Sequence, residues 1–253
     1  MILTIANISA VIGAAEFQAA VAAVGRQVAE DFQPEWDVTA YLRGTAVSLA
    51  RKAPIQGNHD AIIYVGDSSQ DPTTGVSGAL AYHSETYADI PYGFVYLDIC
   101  AAYGVTWTSA LSHEVLELLA DPNAVLTVTG PAPDGASGYV YYDLEVCDPT
   151  QGDSYTIDAV IVSNFVGRNY FGLTGGNGKS NYLNLPLAPF GVRPSGYVQY
   201  EVGGKTHQIQ GENVTESQVA AKKLMKAGRR NERRRVRLSH TQPLALGKAF
   251  GAP

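Results

Sequence analysis

Cysteine is scarce: the chain has two in 253 residues, Cys100 and Cys147. Two cysteines do not make a disulfide framework, so a packed core must hold the fold together. Both sit in apolar segments and read as buried free thiols. Long hydrophobic runs are missing too. No stretch approaches the roughly 20 apolar residues of a membrane helix. The opening "MILTIANISAVIGAAEF" has no basic segment, which argues against a secretory signal. The expectation is a cytoplasmic or virion protein with no membrane partner. Internal repeats are absent. Positive charge is also sparse: residues 1–221 carry 8 Lys and Arg against 23 Asp and Glu, a net charge of −15. Residues 222–237, "KKLMKAGRRNERRRVR", reverse this with nine basic residues. An acidic body with a basic arm points to an anionic partner for the arm. Neighbouring subunits, met through residues 217–253, are the first expectation and nucleic acid is the rival.

Against these absences, 45% of the residues are hydrophobic, enough for one sizeable core or two small ones. "MILTIANIS" reads as a strand. In "AAEFQAAVAAVGRQVAEDF", Phe17, Val21, Val24, Val28 and Phe32 recur at helical spacing and should pack on a sheet. "DVTAYLRG" and "DAIIYVGD" are further strands, the second apolar on both faces and so central. "GALAYHSETYADIPYGFVYLDIC" holds one or two more, ending in residues 93–100. A short helix follows, begun at Thr106 or Thr108 and stopped by Asp121-Pro122. Beyond it "TGPAPDGASG" reads as a loop. "YVYYDLEVCD", "YTIDAVIVSNF" and "GYVQYEVGG" read as strands and hairpins. A Gly/Pro/Asn-rich connection runs from Leu173, and a polar helix from Glu216 leads into the basic arm. The expected class is α+β, with an α/β subdomain over 1–122, a β-rich subdomain over 123–215 completing a cleft, and the arm at 216–253. "GGNGKS" is no phosphate-binding loop, because Leu173 stands where that motif needs its first glycine.

The chemistry concentrates in "SALSHEVLELLADP", residues 109–122. At about 100° per residue, His113, Glu114, Glu117 and Asp121 fall within a sector roughly 100° wide, with the leucines and Val115 opposite. His113 and Glu117 are i and i+4, so both can reach one metal ion. Glu114 points beside that ion, where it can accept a proton from a metal-activated water. Downstream, "YYDLEVCDP" offers Asp143 and Glu145 on one strand face and Asp148 at its end. Glu145 is the first choice for a third ligand and Asp148 the second. His59, His83, His207 and His240 have no motif around them; His83 is the reserve.

The His-Glu-x-x-Glu helix and the β-α-β-β-β-α order before it resemble the zincin metallopeptidases over residues 1–122. The resemblance implies a zincin-like fold, His113 as first ligand, Glu114 as general base and Glu117 in place of the usual second histidine. It also implies an edge strand ahead of the helix, residues 93–100, with a peptide substrate along it. Tyr139, Tyr141 and Tyr142 are candidates for cleft lining. Position 123 is Asn, so the longer metzincin motif is absent. The whole chain is also similar to a group of uncharacterised bacterial and phage proteins carrying "SHEVLELLADP". Zinc is the expected cofactor, but two carboxylates and one imidazole neutralise a divalent ion and suit manganese or calcium as well. Two functions follow. One is a metallopeptidase. The other is a structural protein of a virion or other large assembly, with a degenerate or purely structural metal site.

Overall fold

A computed structural model of the chain describes residues 1–46, 60–68, 81–85, 91–102, 104–214 and 236–238. It is an α+β protein built on two five-stranded sheets and a separate hairpin.

The first sheet takes β1 (Ile2–Asn7), β2 (Tyr41–Ala46), β3 (Ala61–Gly66), β4 (Ala81–Glu85) and β5 (Pro91–Tyr96), in the order β2-β1-β3-β5-β4. The first four of that order run parallel, and β4 pairs antiparallel to β5 at the edge. Parallel strands need a crossover, and α1 (Ala14–Arg26) supplies it between β1 and β2. Its stripe of Phe17, Val21, Val24, Val28 and Phe32 is buried as the spacing predicts. Gly44 of β2 makes the contact close, since a Cβ there would lie 2.8 Å from the Phe17 ring. The helix does not run straight to Phe32. It passes into a wider π turn over Gln27–Phe32, then a last α turn, α2 (Gln33–Trp36). β3 is interior and buried almost throughout, as its double apolar face requires.

Three readings need correction. β5 is interior, and among the described strands the antiparallel edge is β4. The chain after Tyr96 turns helical as α3 (Leu97–Ala102) instead of continuing as strand. Thr129, Gly130 and Pro131, expected in a loop, end β6 (Leu126–Pro131).

β6 opens the second sheet, with β7 (Tyr139–Asp143), β10 (Tyr197–Val202), β11 (Lys205–Gln210) and β12 (Val236–Leu238), in the order β11-β10-β7-β6-β12. Between them, β8 (Ser154–Ile157) and β9 (Val160–Ser163) form a hairpin turned by Asp158 and Ala159, both at positive φ. Of the basic arm, only β12 is described, paired parallel with β6 of the same chain. The rest of 216–253 lies outside the described residues, as does its expected helix.

The long helix α4 (Trp107–Ala120) starts at Thr106 and stops at Asp121, and it packs against β9, β4 and β5. Its buried side joins a single hydrophobic cluster running from Leu3 to Val198, shared by the regions before and after residue 122. No helix of the described residues is long and apolar enough to cross a membrane.

Candidate metal centre

α4 is amphipathic in an unusual way: Glu114 and Glu117 on its polar face are 6% and 3% exposed. Its partner is the segment after β7. There the strand ends at Asp143, Glu145 donates its N–H back to the Asp143 carbonyl, and a 3-10 turn begins at Asp148. The turn aims Asp148 at the helix.

His113 Nε2 lies 3.2 Å from Glu117 Oε1 and 3.3 Å from Asp148 Oδ1. One donor atom from each residue falls within 4.8 Å of the other two. Three donors around a tetrahedral zinc at about 2.0–2.3 Å would stand about 3.3–3.8 Å apart. The spacing fits, and so does the donor set of one imidazole and two carboxylates. The Cys147 N–H donates to Glu117 Oε1 at 3.3 Å, a backbone support of the kind that orients ligands.

Burial works against a charge on His113. Glu117, Asp148 and Glu114 outweigh it and push its pKa from 6.5 up to about 10. In the metal-free chain the imidazolium is therefore the counter-ion of this acidic pocket. The Cys147 thiol is driven well above its usual range by burial, with Glu117, Asp148 and Glu114 adding to the effect and a Ser163 hydrogen bond opposing it.

Comparison with known protein families, with curated proteins and with solved structures finds no match to this chain.

Asp148 joins His113 and Glu117, while Glu145, the first choice from sequence, is buried outside the group. Strand alternation placed Glu145 with Asp143, but the chain has left the strand by then. Glu114 is buried close enough to act on His113, Cys147 and Cys100. Asp121 serves elsewhere, accepting the N–H groups of Val125 and Leu126 at 3.1 and 2.8 Å. Both cysteines are free and buried. His207 is stacked on Tyr200 at 5.3 Å. His83 lies on β4, and its side chain, like His59 and His240, is outside the described residues. Of the cleft candidates, Tyr142 is in the core at 1% exposure and Tyr139 is 77% exposed. Ser112, Ser163 and Gln27 around α4 were not singled out, and no spacing signal marks them.

Proposed function

We propose that this chain is a zincin-like metal-binding protein in which His113, Glu117 and Asp148 hold one divalent cation and Glu114 serves as the general base of a metallopeptidase. The convergence of the three donor atoms within 4.8 Å supports the reading. A bound cation would supply Lewis acidity and acidify water at the site. Glu114 would then take a proton and return it to the leaving amine. β4, at the edge among the described strands, would offer its outer backbone groups to an extended peptide, in place of the interior β5.

A second reading has its own support. The side chains of His113, Glu117 and Asp148 are only 12%, 4% and 2% exposed. Donors so enclosed suit a structural ion, within a protein of a virion or other large assembly.

Elemental analysis of the purified protein, followed by reconstitution with zinc or manganese and assay on a mixed peptide library, separates these readings. Stoichiometric metal with hydrolysis supports the peptidase. Stoichiometric metal without hydrolysis, and a large loss of thermal stability on chelation, supports the structural ion. Failure to take up any divalent cation, calcium included, overturns the metal site in both readings and leaves a structural protein with a degenerate site.

A further inference from the structure

We propose that Gln27 and Ser112 are positioning residues for the metal centre, locking α4 against β9 so that His113 and Glu117 face Asp148. The proposal rests on reading that group as a metal site.

Among the described residues β9 has one strand partner, β8. Its other edge is met by side chains. Thr108 Oγ1 donates to the Ile161 carbonyl at 2.8 Å, and the Ser163 N–H donates to Ser112 Oγ at 2.9 Å. Thr108 and Ser112 are one helical turn apart on α4, and Ile161 and Ser163 are alternate residues of β9, so the two bonds join one helix face to one strand edge. The strand edge therefore fixes both the height and the rotation of α4. A slip of one residue would turn His113 by about 100° and carry it away from Asp148.

Gln27 closes the lock. Ser112 Oγ donates to Gln27 Oε1 at 2.6 Å, and Gln27 Nε2 donates to the Ser163 carbonyl at 2.8 Å and to Tyr155 Oη at 3.0 Å. Gln27 and Ser112 are both 0% exposed. The amide uses its acceptor and both donors. It sits at the first position of the π turn, a local geometry that often accompanies functional sites. Outward, Tyr155 and Tyr182 donate to the two oxygens of Asp31 at 2.6 and 2.8 Å, anchoring the far end.

Inward, Ser163 reaches the other ligand segment. Its side chain lies close enough to act on the Cys147 thiol, and Cys147 supports Glu117 through its N–H and immediately precedes Asp148. One residue thus touches both pieces of chain that carry donors. Apolar side chains could fill the same volume, but they have no direction. A satisfied polar network specifies one arrangement.

The test uses the full chain. Ser112→Ala, Ser112→Thr and Gln27→Leu are compared with the unaltered protein by zinc and manganese titration, the visible spectrum of the cobalt(II) form, circular dichroism and thermal melting. Ser112→Ala and Gln27→Leu should stay folded at 25 °C, bind metal about 10–100-fold more weakly, and shift the cobalt bands. Ser112→Thr, which restores the hydroxyl, should recover most of the affinity. Should Gln27→Leu fail to fold, the Ser112 pair decides. A lower melting temperature with unchanged affinity and cobalt spectrum would overturn the positioning role and leave the metal reading intact. Unaltered protein that takes up no metal would overturn both.

Discussion

His113 Nε2 and Asp148 Oδ1 stand 3.3 Å apart, one on the polar face of α4 and the other at the first position of a 3-10 turn beyond β7. Asp148→Asn should therefore weaken metal binding by more than the roughly 10–100-fold that a supporting partner is worth. Glu145→Gln should leave affinity nearly unchanged. Metal titration of the two variants checks this, and a reversed order would make Glu145 the ligand.

Glu114→Gln keeps the shape of the side chain and removes its basicity. Metal content and melting temperature should hold, while any peptide hydrolysis is lost. If metal content falls instead, Glu114 is a ligand; if hydrolysis persists, another group is the base.

Acidity should stabilise the metal-free protein around this site. Folding raises the His113 pKa from 6.5 to about 10, so the folded state favours the protonated ring. That contribution is whole below about pH 6.5 and fades as pH rises toward about 10. Chelator-treated protein should lose melting temperature across this window. The metal-saturated form should not, because the cation replaces the proton. A flat profile without metal would count against the pairing.

Glu35 grips a loop far from α4 in sequence. Its two oxygens accept the N–H groups of Arg168 and Asn177 at 2.8 and 2.7 Å. Glu35→Ala should cost about 1–3 kcal/mol for the buried Arg168 N–H that it orphans. Gly176→Ala should also destabilise, because its φ is +72° and a Cβ would lie 2.2 Å from Glu35 Oε1. Urea unfolding measures both. Metal affinity of the folded fraction should not move.

The basic arm invites a truncation before residue 217. An acidic body and a basic arm attract between copies, so the shortened chain should lose self-association while binding metal as before. Sizing and DNA binding at varied salt check this. Loss of a steeply salt-dependent DNA affinity would assign the arm to nucleic acid, and no change in either property would leave it only the pairing of β12 with β6.

The helix was legible in sequence because its information is local. His113 and Glu117 are neighbours by helical pitch alone, and the buried stripe from Phe17 to Phe32 follows from the same period. Asp148 was harder to place, since its position depends on where β7 ends and the turn begins. Strand order was harder still. "YGFVYLDI" reads as an edge from its place before the helix, yet its apolar character on both faces matches the interior place of β5, and β4 lies in a less regular stretch. The π turn left no mark at all. Gln27, at its first position, meets partners from β8, β9 and α4, and pairings of that kind have no periodicity.

The single cluster from Leu3 to Val198 crosses the boundary at residue 122, and the metal donors straddle that same boundary. The two halves should therefore unfold in one cooperative transition, and neither should assemble the pocket alone. Native donor geometry exists only once both halves have closed on each other, so capture of the cation at this site would report that folding is complete.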